Sequence, residues 1–169
     1  GQLCDGTRTS RFAPVKVGTG FAAVVAGELN SFGIKTDGSL WAWGSNGSWA
    51  LGDGTNVDRL LPVQIGTGYS EVSSNSGRSV ALKTDGSLWV WGGDALRKGE
   101  SPTLVGAGYL AAAAGWSHTL ALKTDGTPWV WGSNSYGELG DGGTIDRNTP
   151  VVVGADYSAV AAGPRQTLA

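Results

Sequence analysis

The sequence has no methionine, one cysteine and one histidine, and each shortage excludes something. A single cysteine cannot form an intrachain disulfide. With one histidine and one cysteine, no Ser-His-Asp, Cys-His or zinc-ligand spacing is present, so we expect no catalytic function and no cofactor. Because methionine is missing even at the first position, we expect the chain to be a processed or excised product.

Charge and long apolar runs are also scarce. Charged residues make up 15% of the chain and the net charge is −2, which provides no electrostatic footprint for nucleic acid or an anionic membrane. No apolar run approaches the roughly 20 residues that span a bilayer. We therefore expect neither nucleic acid nor membrane as a partner.

What the sequence does contain is an internal repeat, rich in glycine and tryptophan. A ten-residue motif occurs three times, with spacings of 48 and 40 residues. Such a period is typical of repeat architectures. The three copies are Lys35-Thr-Asp-Gly-Ser-Leu-Trp-Ala-Trp-Gly44, Lys83-Thr-Asp-Gly-Ser-Leu-Trp-Val-Trp-Gly92 and Lys123-Thr-Asp-Gly-Thr-Pro-Trp-Val-Trp-Gly132.

Each copy predicts a β-hairpin. Asp-Gly between two apolar runs is a strong hairpin signal, because glycine accepts the positive φ of such turns. Trp89 and Trp91 fall on one face of their strand, and Leu88 and Val90 on the other. Two apolar faces indicate sheets stacked radially, as in a propeller. We expect the six tryptophans of these hairpins to pack in the core.

A strand of small residues precedes each hairpin. The copies are 23–27, 71–75, 111–115 and 159–163. Small side chains at one phase predict the innermost strands, where blades crowd around an axis. These elements divide the chain into repeats 1–48, 49–96, 97–136 and an incomplete 137–169. The whole chain, 1–169, is thus predicted to be one partial all-β propeller of four-stranded blades.

The series Leu-Lys-Thr-Asp-Gly-Ser-Leu-Trp-x-Trp-Gly, Gly-Glu-Leu-Gly-Asp-Gly, Pro-Val and Ala-Ala-Gly-x-x-His-Thr-Leu-Ala-Leu resembles the regulator of chromosome condensation repeat. The resemblance covers essentially the whole chain and is closest to bacterial members. It implies a β-propeller, usually of seven blades, whereas this chain has about three and two-thirds repeats. Cys4 and Trp49 depart from the pattern, since both occupy glycine positions.

About three and two-thirds repeats do not meet the seven-blade count, so we expect the chain not to be a closed monomeric propeller. The final repeat lacks its own Asp-Gly hairpin. An open arc exposes a strand edge and an apolar blade face, and both favour association. Two accounts remain open: two copies close a ring as a homodimer, or the missing blades belong to a longer parent.

The predicted function is a non-catalytic scaffold that recognises another protein through its rim loops. A structural, self-assembling blade array is the alternative. The resemblance also implies guanine-nucleotide exchange, as in the founding member, or ultraviolet reception, as in a plant relative. The chain offers little support for either, since Gly115-Trp-Ser-His-Thr119 is the sole approximation to the receptor motif.

The candidate protein-binding residues follow the small-residue strand at one phase, where identity varies while the hairpin stays constant. Trp49 is a further candidate, and for His118 a structural role in bonding backbone is the competing interpretation. The acidic loops 53–58 and 141–146 suggest calcium superficially, but we predict no metal and interpret Asp58-Arg59 and Asp146-Arg147 as turn and ion-pair residues. The candidate rim residues are Glu28, Asn30, Arg78, Trp116, His118 and Arg165.

Overall fold

The computed structural model describes residues 1–75, 77–93, 98–163 and 166–168. In these residues all regular structure is β-strand. None of the described segments forms a helix suited to crossing a membrane. The all-β prediction is confirmed.

Three antiparallel four-stranded sheets follow one another along the chain, each with its strands in sequence order. Blade 1 contains β1 (Phe21–Ala26), β2 (Asn30–Lys35), β3 (Leu40–Gly44) and β4 (Arg59–Gly66). Blade 2 contains β5 (Tyr69–Asn75), β6 (Arg78–Lys83), β7 (Leu88–Gly93) and β8 (Lys98–Gly106). Blade 3 contains β9 (Tyr109–Ala114), β10 (His118–Lys123), β11 (Pro128–Gly132) and β12 (Arg147–Val152). A two-stranded hairpin follows, formed by β13 (Ala161–Ala162) and β14 (Thr167–Leu168).

The predicted Asp-Gly hairpins are present in all three blades. The turn in blade 1 is a three-residue loop closed between Lys35 and Ser39. Gly38 has φ +77°, which a residue with a Cβ adopts at a cost. The Asp37 carboxylate accepts hydrogen bonds from the Ser39 amide and hydroxyl at 2.9 and 2.6 Å. Local chemistry thus fixes each hairpin.

The core lies between blades rather than inside one sheet. Phe32 and Leu40 of blade 1 pack with Val72 and Trp91 of blade 2 in one buried cluster. A second cluster joins blades 2 and 3 in the same way. The first strands β1, β5, β9 and β13 contact each other in succession. The small-residue strands therefore line the inner side of the arc, as predicted.

The tryptophan prediction is correct for only half of the six hairpin residues. Trp43, Trp91 and Trp131 are buried, whereas Trp41, Trp89 and Trp129 are half-buried. In each half-buried case a lysine ammonium lies over the ring, as Lys83 does over Trp89 at 4.6 Å. The second tryptophan of each pair is core, and the first supports a cation–π contact near the surface.

The sheets straddle the repeat boundaries of the sequence. Blade 1 runs from 21 to 66 and blade 2 from 69 to 106, so each sheet takes strands from two sequence repeats. The repeat boundaries after residues 48, 96 and 136 depend on where in the motif a repeat is taken to begin, and they stay a prediction.

Candidate functional site: the turns and loops at one end of the blades

Three of the candidate residues begin the second strand of their blades and contact the blade that follows. Asn30 Oδ1 accepts a hydrogen bond from the Ser74 hydroxyl of blade 2 at 3.2 Å. Arg78 donates through its guanidinium to Thr119 Oγ1 of blade 3, also at 3.2 Å. This position therefore serves as a polar link between consecutive blades.

His118 holds the same position in blade 3 and is fully buried. Its ring lies against the Gly115 backbone, where a Cβ would meet the imidazole at 2.2 Å. Neither ring nitrogen has a hydrogen-bond partner within the described residues. Burial lowers the pKa of His118, and the Arg78 charge lowers it further, while the Gln166 backbone and Glu138 oppose this shift. The Gln166 backbone acts on the ring electrostatically but makes no hydrogen bond with it.

Three of the candidate residues are not exposed at this end of the blades. Asn30, Arg78 and His118 are buried, and the side chains of Asn30 and Arg78 bond to the next blade. Glu28 and Trp116 are exposed, and Trp49 is half-buried. Arg165 lies outside the described residues. Whether any of the six binds a protein stays a prediction.

The loop between β3 and β4 is organised around a fully buried asparagine. Asn46 Nδ2 donates to Asp53 Oδ1 at 3.0 Å and to the Thr55 carbonyl at 2.8 Å. Its side-chain oxygen accepts from the Leu51 amide at 2.9 Å. Asn134 makes the same set of bonds in blade 3. One side chain thus holds a loop of about twelve residues in a fixed shape.

Of the four residues predicted to be turn and ion-pair residues, three form ion pairs, and Asp58 does so with Arg8. Arg59 and Arg147 are paired, but with Asp53 and Asp141 rather than with the adjacent acids. Asp58 and Asp146 instead accept hydrogen bonds from the Asn46 and Asn134 amides.

The carboxylates of these loops already have partners within the protein. Burial on its own would raise the pKa of Asp53, but hydrogen bonds from Thr55, Arg59 and Asn46 outweigh it and hold that pKa below its usual range. No group of three or more His, Cys, Asp or Glu suited to a metal occurs in the part of the chain that the structure describes.

A cleft of about 310 Å³ opens beside this loop. It lies between the β1–β2 turn, the start of the β3–β4 loop and the β5–β6 turn of the next blade. We call it the β1–β2 cleft. Glu28 and Leu29 are exposed at it, while Asn30 and Ala50 are buried. It is lined by Glu28, Leu29, Asn30, Ser45, Gly47, Ser48, Ala50 and Gly77.

Blade 3 carries different residues at the equivalent positions. Trp116 replaces Glu28, and Tyr136 replaces Ser48. Their exposed fractions are 41% and 70%. The same end of the arc therefore presents a cleft with an acid in blade 1 and exposed aromatic rings in blade 3.

Sequence reasoning found Glu28 and Asn30 of this cleft and missed Leu29, Ser45, Gly47 and Ser48. Their place in the sequence could have indicated them. Residues 45–48 directly follow the Trp-Gly pair that ends β3, and the β1–β2 turn lies on the same side of the blade. The Ser45 amide donates to the Leu29 carbonyl at 2.8 Å, which joins the two segments.

Comparison with known proteins agrees with this architecture. Residues 37–81 and 125–169 match the regulator of chromosome condensation (RCC1) repeat, and 21–48 and 111–138 match a second description of the same repeat. These matches cover more than half of the chain. The chain is therefore a β-propeller protein and belongs to the regulator of chromosome condensation repeat family.

Solved structures share the fold at low sequence identity. Prp20p from Saccharomyces cerevisiae, whose structure was described with its binding to Gsp1p and histones, is 18% identical with a TM-score of 0.84, over 98% of this chain and 48% of that chain. Human WBSCR16 is 22% identical with a TM-score of 0.79, over 96% and 49%. The ectodomain of the Physcomitrella patens receptor kinase CR4 is 16% identical with a TM-score of 0.59, over 87% and 37%.

The chain spans about half the length of the first two of these proteins. No curated protein matches the chain. The similarity thus concerns the fold.

Proposed function

We propose that this chain is a non-catalytic propeller segment that binds another protein through the loops at one end of its blades. The observation that carries the proposal is the β1–β2 cleft, a concave site built from a turn and a loop on a rigid blade. Loops that vary on a fixed scaffold are where binding residues concentrate. The Prp20p structure, described with the binding of Gsp1p and histones, is a precedent for partner binding on this fold.

The non-catalytic character rests on the chemistry of the side chains. The one histidine is fully buried, so its ring cannot reach a substrate in this arrangement. The loop acids Asp53 and Asp141 are engaged by arginines. Binding, unlike catalysis, needs only the exposed apolar and polar residues that the turns present.

The test has two stages and uses the full chain. Proteins captured by the immobilised chain are first identified, and the affinity of each purified candidate is then measured by calorimetry. Leu29→Ser, in the cleft, is expected to weaken a true partner about tenfold, as loss of an interface anchor does. Leu104→Ser is the matched control, because Leu104 is similarly exposed on β8. The proposal is overturned if no candidate discriminates between the two variants.

A second candidate function, self-assembly into a larger blade array, is favoured by a different observation. Val24 of β1 is 67% exposed, whereas its repeat equivalents Val72 and Ala112 are 5% and 7% exposed against the preceding blade. The first face of blade 1 is thus a blade–blade surface without a blade on it. A second copy of this chain is the occupant we propose for it.

A further inference from the structure

We infer that the β1–β2 cleft takes an extended segment of a partner protein in which a basic side chain adjoins an apolar one. This inference rests on the proposed function and names the chemistry that the same site selects. It follows from the charge at the mouth, the exposed apolar wall and the polar floor of the cleft.

The mouth of the cleft carries one carboxylate. Glu28 is exposed and makes no hydrogen bond or ion pair with any described residue. The acids of the adjoining β3–β4 loop are engaged, since Asp58 is held by Arg8 at 3.1 Å and by the Asn46 amide, and Asp53 pairs with Arg59. Arg78, which follows the cleft residue Gly77 in the chain, is buried and donates a hydrogen bond to Thr119 of blade 3. Glu28 is therefore available to pair with a lysine or arginine of a ligand.

The wall beside this acid is apolar. Leu29 follows Glu28 in the turn and is 55% exposed, although its carbonyl is fixed by the Ser45 amide. A leucine held out by a fixed turn loses little conformational freedom when it is covered. The Leu29 side chain therefore suits contact with an aliphatic residue that adjoins the basic residue of the ligand.

The floor and far side supply hydrogen-bonding groups suited to a peptide backbone. Asn30 is 4% exposed, and its amide nitrogen has no partner in the described chain because only Oδ1 bonds to Ser74. The Ser45 and Ser48 hydroxyls likewise make no hydrogen bond there. An extended segment presents one N–H and one C=O per residue, which these groups can satisfy.

The equivalent position in blade 3 has a different chemistry. Trp116 and Tyr136 occupy the places of Glu28 and Ser48, so the equivalent position in blade 3 lacks the mouth carboxylate. A basic ligand is therefore expected to prefer the cleft of blade 1 to the equivalent position of blade 3.

The test uses two synthetic peptides, acetylated and amidated, of sequence Gly-Gly-Leu-Arg-Gly-Gly and Gly-Gly-Leu-Glu-Gly-Gly. Each is titrated into the isotope-labelled full chain and followed by amide chemical shifts. The arginine peptide is expected to shift the amides of Leu29, Gly47 and Ser48 with weak, saturable binding that falls as salt rises. The glutamate peptide is expected to give no saturable shift. Equal binding of the two peptides, or shifts confined to other regions, overturns the inference.

Two variants test the role of each element. Glu28→Gln is expected to weaken the arginine peptide about twofold to fivefold, the range of an exposed ion pair. Glu100→Gln makes the same change on exposed β8 and is expected to leave affinity unchanged. Gly47→Leu adds a bulky side chain at the lining of the cleft. A Cβ there meets no atom within 4 Å, so the fold should persist, and the variant is expected to abolish the shifts.

The two proposals fail in different ways. If a captured partner protein loses affinity with Gly47→Leu but responds neither to Glu28→Gln nor to salt, the binding function stands and the basic-ligand inference falls. If no partner responds to Gly47→Leu, the cleft is not the binding site and the proposed function falls with it.

Discussion

Asn30, Arg78 and His118 share one position in the repeat, and the first two contact different residues of the following blade. Asn30 meets Ser74 and Arg78 meets Thr119. Residue identity usually varies across repeats at exposed positions, but this position is buried and its side chains bond to the next blade in two of the three cases. Their shared position was predictable from the sequence, while their burial was not, because it depends on the next blade.

Protonation of His118 is expected to destabilise the chain. Burial lowers its folded pKa below the unfolded value, so the unfolded state binds more protons as pH falls from about 6.5. The free energy of unfolding should decrease through this range and level off below the folded pKa. Among the described residues, the charged groups that act on the ring are Arg78 and Glu138.

Thermal melts at a series of pH values test this expectation. The His118→Asn variant introduces the residue found at Asn30 and removes the titrating group. Its melting temperature should vary less between pH 7 and 5.5 than that of the parent chain. Identical pH profiles would show that His118 does not carry the effect.

The two tryptophans of one hairpin are expected to contribute unequally. Trp91 is 2% exposed in the core and donates to the Ala50 carbonyl at 2.8 Å. Trp91→Ala should cost about 3–5 kcal/mol of unfolding free energy through the cavity it leaves. Trp89 is half-buried under Lys83, and Trp89→Ala should cost about 1–2 kcal/mol. Urea denaturation measures both, and equal losses would contradict the division into core and surface rings.

At the scale of elements, the hairpins and inner strands follow from local sequence, since turn chemistry and side-chain size act over a few residues. The β3–β4 loop does not. Its shape depends on Asn46, whose bonds reach residues up to twelve positions away. A buried asparagine is indistinguishable in sequence from an exposed one such as Asn56. The cleft that this loop borders was therefore found only in part from the sequence.

The central role of Asn46 gives a prediction for this loop. Asn46→Ala leaves the Leu51 amide and the Thr55 carbonyl without their partner, and it should cost at least about 2 kcal/mol. Asn56→Ala, at an exposed position of the same loop, should change stability by no more than about 0.5 kcal/mol. Urea denaturation of the two variants decides, and a small effect of Asn46→Ala would show that backbone turns alone hold the loop.

At the scale of the molecule, the first face of blade 1 is open, and comparison with the equivalent faces of blades 2 and 3 reveals this. Inside the arc each blade packs against the next. Val72 and Trp91 of blade 2 are buried in such a contact with blade 1. Cys4 and Trp49 show a second effect of the repeat, since both adopt the positive φ of their glycine counterparts, at 59° and 57°. The backbone path is thus kept even where the sequence departs from glycine.

The open face predicts association of the isolated chain. Fully burying a valine side chain stabilises by roughly 1.5–3 kcal/mol, and Val24 is accompanied on β1 by the half-buried Phe21. Sedimentation of the chain should therefore show a discrete dimer at high concentration. Val24→Lys should shift it to monomer, because a lysine placed against a second apolar face carries an uncompensated charge. Val57→Lys, at a similarly exposed loop position, should leave the dimer intact. A compact monomer of the parent chain at all concentrations would mean that β1 is stable in water without a covering blade.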